Sequence, residues 1–223
     1  MNAAMTADEL KAWITSHLDP IEGYDPDGLP GHSDFDGLGG IPEGTKLTPA
    51  AVLVPLIEHA AGLTVLLTRR ADTLRAHTGQ VAFPGGRCEP GETPWETALR
   101  EAHEEVGLDP ADVTLVGLST RYQTLSGFDI IPVVGFVKSS ARFKPNPDEV
   151  ADVFETPFAF LMDPKNHERR SRETPDGMKR HFYAMPYGGQ LIWGVTAGML
   201  RILCERLYGE PDPQWAVERV EHG

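Results

Sequence analysis

Residues 85–108 read GGRCEPGETPWETALREAHEEVGL, and this stretch decides the fold. The middle of this stretch predicts a helix, and the residues at both of its ends are typical of helix caps. Thr93 and Glu96, three residues apart, form a capping-box pair, and Pro94 stands at the first helical position. Gly107 supplies the stop at the other end, because glycine readily adopts the left-handed backbone conformation that ends helices. We therefore expect one complete helix between these two caps.

The faces of this helix differ in character. At about 100° per residue, five apolar side chains fall on one side and predict packing against a core: Trp95, Ala98, Leu99, Ala102 and Val106. Glu101, Glu104 and Glu105 fall on the adjacent arc. Like charges at this spacing repel by a few tenths of a kcal/mol per pair, a cost that a hard, oxygen-seeking cation would reverse. The acidic arc is either solvated surface or a site for such a cation.

The spacing of the whole stretch favours the second interpretation. It satisfies the pattern G-x5-E-x7-R-E-U-x-E-E-x-G-U, where U is aliphatic, through Gly86, Glu92, Arg100, Glu101, Ala102, Glu104, Glu105, Gly107 and Leu108. This segment resembles the box of the Nudix hydrolase family. The resemblance implies an α/β fold, a Nudix-type α/β/α sandwich with a mixed central sheet, and hydrolysis of a nucleoside diphosphate linked to another moiety. It also implies that Mg²⁺ or Mn²⁺ is held by Glu101, Glu104 and Glu105.

The segment before the box carries a second motif. Residues 66–86 read LLTRRADTLRAHTGQVAFPGG and resemble the motif of the coenzyme A pyrophosphatase (coenzyme A diphosphatase) branch of that family. The resemblance implies cleavage of coenzyme A, and perhaps of its thioesters, to 3′,5′-ADP and 4′-phosphopantetheine or its acylated form. It implies a substrate-binding role for this segment, which we assign to Arg69, Arg70, Arg75, Gly85 and Gly86.

The charges of this region suit a polyphosphate ligand. Cationic residues precede the acidic helix in a chain that is otherwise acidic, namely Arg69, Arg70, Arg75, His77 and Arg87. Carboxylates can hold a metal ion, the ion can hold the bridging phosphates, and guanidinium groups can bind outlying phosphates in a bidentate way. Alternatively, some arginines pair with helix carboxylates, which we expect for Arg100.

Glu149 is the acidic residue that we add to the site from outside the box. By resemblance, it is the extra carboxylate that this fold brings toward the box helix, as a metal ligand or a general base. An ordinary charge at a strand edge is an equally good interpretation. We assign catalysis to Glu101, Glu104 and Glu149 without choosing the base, because carboxylates that share a metal have coupled titrations.

Two rival functions stay open. One is hydrolysis of another nucleoside diphosphate derivative, such as ADP-ribose or a dinucleotide. The other is a nucleotide-binding module without turnover, against which the complete set of box carboxylates argues.

Composition limits the classes of binding partner that we expect. The chain has 223 residues, enough for one domain with additions, and 33 acidic against 20 basic side chains give a net charge of −13. This charge argues against nucleic acid or an anionic membrane as the partner. A small anionic nucleotide is still allowed, because metal ions and local arginines set the field in a pocket. Nothing predicts an oligomeric state.

We expect a cytoplasmic location. The amino-terminal MNAAMTADELKAWITSHL lacks the basic start and unbroken apolar run of a signal peptide, and no stretch has the apolar length of a membrane span. The two cysteines, Cys88 and Cys204, stand in unrelated contexts and suggest neither a disulfide framework nor a zinc site. A reducing compartment fits this pattern.

We divide the chain into three parts. Residues 1–48 hold a helix over Thr6–His17 and an irregular arm rich in Gly and Pro, residues 49–208 form the hydrolase domain, and residues 209–223 form a tail. We assign the arm no chemistry, and we interpret its His32 and Asp34 as solvated.

Within the domain, hydrophobic runs predict strands at Ala50–Ile57, Leu63–Thr68, Val81–Phe83, Val113–Leu118, Ile130–Val137 and Glu149–Phe154, a hairpin of His181–Met185 with Gln190–Ile192, and a closing helix over Gly194–Leu207. Pro132 suggests that its strand lies at an edge or contains a bulge. The basic run His167–Arg172 is interpreted as a solvated loop.

Overall fold

The computed structural model describes residues 5–26, 28–34, 41–71, 79–173, 179–209 and 218–220. Its α-helices are α1 (Ala7–Ser16), α2 (Pro94–Val106), α3 (Phe158–Leu161) and α4 (Val195–Tyr208), and Pro110–Asp112 and Pro164–Asn166 are short 3₁₀ turns. The strands are β1 (Gly31–Ser33), β2 (Thr48–His59), β3 (Gly62–Arg70), β4 (Val81–Ala82), β5 (Gly85–Arg87), β6 (Val113–Leu118), β7 (Arg121–Gln123), β8 (Phe128–Lys138), β9 (Val150–Pro157), β10 (Glu168–Glu173), β11 (Lys179–Tyr187), β12 (Gln190–Trp193) and β13 (Glu218–Val220).

A long parallel pair forms the centre of the larger sheet. β2 and β8 run side by side over eleven registered positions, from Thr48 opposite Phe128 to Glu58 opposite Lys138. The main path of the sheet is β1–β7–β8–β2–β3–β4, while β5 pairs with β2, β6 with β8 and β9 with β3. The central strands are almost continuously apolar, as expected for strands buried on both faces.

Helices cover both faces of this mixed sheet. On one face, α2 buries Ala98, Ala102 and Val106 completely against side chains of β2 and β8. On the other face, the core includes Ile14 of α1 and Leu200 of α4. The expected α/β/α sandwich with a mixed central sheet is therefore confirmed.

Pro132 lies neither at an edge nor in a bulge, contrary to the expectation. β8 is an interior strand, with β2 on one side and both β6 and β7 on the other. Pro132 sits where this second neighbour changes, because β7 pairs as far as Ile130 and β6 pairs from Val133. A residue without an N–H is tolerated at such a junction, because no neighbouring strand needs its donor. The bulge lies instead in β6, before Gly117.

A second sheet replaces the loop expected at His167–Arg172. Its order is β12–β11–β10–β13, and β10 pairs antiparallel with β11 along six residues. His167 is fully buried, and its Nε2 lies 2.7 Å from the carbonyl oxygen of Leu161. The charged sequence suggested a solvated loop, but two of its charges are paired within the strand, with Arg170 Nη2 2.7 Å from Glu168. The predicted hairpin is confirmed as β11 and β12.

The arm before β2 is partly built into the larger sheet. α1 confirms the first predicted helix, but β1 then pairs in parallel with β7, so the arm is not wholly irregular. Asp34 is not simply solvated either. Its carboxylate accepts hydrogen bonds from the hydroxyl of Tyr122 at 2.7 Å and from the N–H of Leu125 at 3.2 Å.

The division at residues 48/49 and 208/209 stays a prediction. β1 and β13, from the two flanking parts, each pair with a strand of the central part. Among the described helices, none is both long enough and apolar enough to cross a membrane.

α2 has the two ends that the sequence specifies. Glu96 Oε2 accepts from the backbone N–H of Thr93 at 2.8 Å, and the Thr93 hydroxyl accepts from the N–H of Glu96 at 3.4 Å. At the other end, Gly107 has φ of 67°, a left-handed conformation that favours glycine. The capping box and the glycine stop are both confirmed.

Thr93→Ala should lower the free energy of unfolding by about 1 kcal/mol, because the substitution removes the acceptor for an N–H at the start of α2. Urea unfolding followed by circular dichroism measures the change. Thr45→Ala, at an exposed position outside the helices, is the control and should cost less than about 0.5 kcal/mol. Equal losses in the two variants would contradict the importance of the cap.

Candidate active site

Two glycines allow β5 to approach its neighbours closely. A Cβ atom on Gly85 would lie 2.5 Å from the carbonyl oxygen of Ala51 and 2.6 Å from the Cα of Val52. A Cβ atom on Gly86 would lie only 2.3 Å from Oε1 of Glu101. Any side chain at these two positions would displace backbone in the first case and a carboxylate in the second. The Glu101 carboxylate thus lies directly against the β5 backbone.

Glu105 is the acidic residue that is buried in the described part of the chain, at 4% exposure. Its Oε2 accepts the N–H of Gly85 at 3.2 Å, and its Oε1 lies 4.0 Å from Nη1 of Arg70. These contacts do not offset burial, which raises the pKa of Glu105 to about 8, with smaller contributions from the charges of Glu101 and Glu149. The carboxyl group is therefore largely protonated at neutral pH.

Arg100 holds three other carboxylates together. Its Nε donates to Glu92 at 2.7 Å, and its Nη1 donates to Glu101 at 2.9 Å and to Glu104 at 3.3 Å. The hydrogen bond from Arg100 lowers the pKa of Glu92 to about 2. Burial raises the pKa of Glu101, because desolvation outweighs the opposing effect of Arg100. The expected pairing of Arg100 with helix carboxylates is confirmed.

The loop before β9 brings Glu149 to the end of α2. The backbone N–H of Asn146 donates to the carbonyl of Glu105 at 2.8 Å and so satisfies an acceptor that the helix end leaves free. The side chain of Asn146 donates to Glu149 at 3.3 Å. The charge of Glu149 contributes to the raised pKa values of Glu101 and Glu105, so it lies within electrostatic range of both.

Sequence reasoning missed the role of Asn146. Its Oδ1 accepts the N–H of Asp148 at 3.2 Å, which makes a turn of the kind that Asn side chains stabilise. The Asn-Pro-Asp run at residues 146–148 was the available signal for this turn.

Arg70 connects the segment before the box to the carboxylates. Besides its approach to Glu105, its Nε is buried and has no hydrogen-bond partner. Arg69 lies opposite Val81 of β4 and Asp152 of β9, and a bulge in the pairing with β9 separates it from Arg70. Arg75, like His77, lies outside the described residues.

The side chains present suit a divalent cation in kind. Glu101, Glu104, Glu105 and Glu149 offer the oxygen ligands that hard cations prefer, and the raised pKa of the buried Glu105 shows that its neighbours do not fully compensate its ionised form. Across the described ranges, no group of three or more His, Cys, Asp or Glu side chains is already arranged to hold a metal ion. A cation would have to compete with Arg100 for the carboxylates of Glu101 and Glu104.

Comparison with known proteins identifies the family of the chain. A family model described as the NUDIX domain matches residues 47–176, a range that contains the whole box. Two bacterial proteins named uncharacterized Nudix hydrolase NudL are similar to the chain. The one from Pectobacterium atrosepticum is 42% identical over 168 residues, covering 73% of this chain and 84% of that protein. The one from Yersinia enterocolitica is 40% identical over 164 residues, covering 71% and 80% respectively.

A solved structure of a Nudix hydrolase from Nitrosomonas europaea is also similar, with 18% identity, a TM-score of 0.48 and coverage of 79% of this chain and 80% of that one. The family model spans more than half of the 223 residues, and the relatives are well above 30% identical over most of their length. The chain therefore belongs to the Nudix hydrolase family.

Proposed function

We propose that this Nudix hydrolase uses Mg²⁺ or Mn²⁺ to cleave the diphosphate bond of coenzyme A, and of acyl-coenzyme A. The products are 3′,5′-ADP and 4′-phosphopantetheine or its acylated form. The observation that carries this proposal is the contact between the two motifs. Arg70, from the segment resembling the coenzyme A branch, lies 4.0 Å from Glu105 of the box. An arginine, a residue type suited to binding phosphate, thus stands beside a glutamate, a residue type suited to binding a metal ion.

The box carboxylates are the proposed metal ligands. Glu101, Glu104 and Glu105 bind the ion, and Glu149 serves as a further ligand or as a base. When bound, the ion polarises phosphoryl oxygens and lowers the pKa of the attacking water. The side chain of Glu104 is 52% exposed, so it can turn from Arg100 toward a ligand without disturbing α2. Glu105 must lose its proton before it can bind a cation.

Arg70 and its neighbours are proposed to bind the phosphates. The side chain of Arg70 is 33% exposed, so its guanidinium group can donate to a phosphate oxygen. Coenzyme A carries a 3′-phosphate in addition to the diphosphate, and we assign this outlying group to Arg69, Arg70 and Arg75. Gly85 and Gly86, which have no side chain, let substrate phosphates approach the backbone closely.

Glu104→Gln and Glu105→Gln should each lower kcat by at least about a hundredfold, because each removes a negative ligand from the metal without changing side-chain shape. Chromatographic separation of 3′,5′-ADP from coenzyme A measures turnover with Mg²⁺ or Mn²⁺. Glu96→Gln is the matched control, the same change on the same helix at a residue whose carboxylate belongs to the cap. A comparable loss at Glu96 would refute this assignment of ligands.

Metal binding should release a proton from Glu105 and should strengthen as the pH rises. In the folded protein the pKa of Glu105 is raised to about 8 from an ordinary 4.5. Protonation of Glu105 therefore stabilises the fold. This contribution is complete below about pH 4.5 and is lost as the pH rises through about 8. Between about pH 6 and pH 9, the rise in Tm on adding Mg²⁺ should increase. Thermal melts with Mg²⁺ and with a chelator measure it.

Glu105→Gln provides the comparison for this pH effect. The neutral amide can still accept the N–H of Gly85, so the metal-free variant should lose less stability than the wild type at alkaline pH. An Mg²⁺-induced rise in Tm with the same pH dependence in both proteins would rule out Glu105 as the group that releases the proton.

Coenzyme A should exceed dephospho-coenzyme A in kcat/KM by about ten- to a hundredfold, because one charge-assisted phosphate contact contributes about 1.5–3 kcal/mol. Arg75→Ala and Arg70→Ala should reduce this ratio, and Arg169→Ala, at an exposed position of β10, should leave it unchanged. The measurement is kcat/KM for both compounds on all four proteins. A wild type that does not distinguish the compounds would favour another nucleoside diphosphate as the substrate.

A further inference from the structure

Residues 144–149 read KPNPDE and pass the carboxyl end of α2 just before β9. A residue before a proline favours an extended backbone, so the prolines at positions 145 and 147 favour that conformation at Lys144 and Asn146. The N–H of Lys144 donates to the carbonyl of Val106 at 2.7 Å, and the N–H of Asn146 donates to the carbonyl of Glu105 at 2.8 Å. The intervening prolines have no N–H to satisfy. The backbone of the segment is therefore bound to the turn of α2 that carries Glu105.

The same segment is also bound to the end of β3. The carbonyl of Glu149 accepts the N–H of Ala71 at 2.8 Å, and Arg70 stands opposite Val150 in the β3–β9 pair. Arg70 is the residue that approaches Glu105. The backbone of Glu149 is thus fixed relative to both α2 and β3, and the direction of its side chain is left for another contact to determine.

The side chain of Asn146 makes that contact. Its Oδ1 accepts the N–H of Asp148 at 3.2 Å, and its Nδ2 donates to Oε1 of Glu149 at 3.3 Å. The two assignments support each other, because the oxygen faces a donor and the nitrogen faces a carboxylate. A carboxamide can accept and donate at once, whereas a carboxylate in this position could only accept. Asn146 therefore both stabilises the turn and orients Glu149.

Glu149 needs such a contact because its neighbours are acidic. Its charge contributes to the raised pKa values of Glu101 and Glu105, so an ionised Glu149 is repelled by both. A partly exposed carboxylate that is repelled in this way gains by turning toward water. The hydrogen bond from Asn146 opposes that movement.

We propose that Asn146 is a positioning residue, which acts on the reaction through Glu149 by holding its carboxylate beside those of Glu101 and Glu105. This inference rests on the proposed function, which makes Glu149 a metal ligand or a base. Hydrogen-bond partners of such groups typically contribute 10- to 100-fold to metal affinity or activity. The distance of 3.3 Å is slightly longer than usual, so we expect an effect near the lower end of this range.

Asn146→Ser isolates the contact with Glu149. The serine hydroxyl can still accept the N–H of Asp148, as Ser does in turns, but the amide donor is lost. Thermal melts should therefore give a Tm close to that of the wild type. The kcat for coenzyme A should fall about tenfold while KM changes less than about twofold. Asn146→Asp, which keeps the shape and the acceptor and also lacks the donor, should show a similar loss.

Asn166→Ser is the matched control for these variants. Nδ2 of Asn166 donates to the carbonyl of Phe160 at 2.9 Å, in the 3₁₀ turn before β10. The same side-chain change should therefore leave kcat for coenzyme A unchanged. An equal fall in kcat in Asn166→Ser and Asn146→Ser would contradict a specific role for Asn146.

The effect of Asn146 should require Glu149. In a Glu149→Ala background, Asn146→Ser should change kcat by less than about twofold, because the group that it positions is gone. Titration of the substrate-free protein with Mn²⁺, followed by electron paramagnetic resonance, gives a second measurement that needs no turnover. If Glu149→Ala weakens Mn²⁺ binding, Asn146→Ser should weaken it by a smaller factor. If Glu149→Ala leaves Mn²⁺ binding unchanged, Asn146→Ser should do the same.

Two results would overturn the proposal. One is an Asn146→Ser effect of the same size with and without Glu149, since Asn146 would then act on the fold or on another group. The other is a Glu149→Ala variant that neither lowers turnover nor weakens Mn²⁺ binding, since Glu149 would then have no role that depends on its position. Mn²⁺ binding that depends on Asn146 through Glu149, in a protein that does not hydrolyse coenzyme A, would refute the proposed function alone.

Discussion

The close approach of β5 to α2 is the constraint on which the rest of the site depends. Gly86 lets the strand approach Glu101 at a distance that no side chain would permit, and the backbone N–H of Gly85 donates to Glu105. Burial of Glu105 follows from this approach, and so does its raised pKa. The proposed metal site thus depends on two residues that have no side chain.

Arg100 offsets the repulsion among the carboxylates that this packing brings together. A guanidinium with five donors can bind several carboxylates at once, and here it joins Glu92 from the preceding loop to Glu101 and Glu104 on the helix. The three acids are therefore held in place before any cation arrives. The guanidinium thus neutralises carboxylates that a bound cation would otherwise neutralise.

Features that depend on neighbouring residues were predictable, and features that depend on distant pairing were not. The caps of α2 and the pairing of Arg100 follow from spacings of a few residues, and the structure confirms them. The helical pattern correctly grouped the three box carboxylates, but it gave no reason for Glu105 alone to be buried, because burial depends on where β5 crosses. β1 and β10 were missed for the same reason, since each is defined by a partner far away in the chain. Whether the proposed site residues act as assigned stays a prediction.

The parallel pairing of β1 with β7 has a consequence for solubility. β7 has β8 on one side and β1 on the other, so the arm covers backbone donors and acceptors that would otherwise line the outer edge of the sheet. An uncovered edge is a template to which a strand from another molecule can add. In a chain shortened to the box-containing core, the edge of β7 would become a point of self-association.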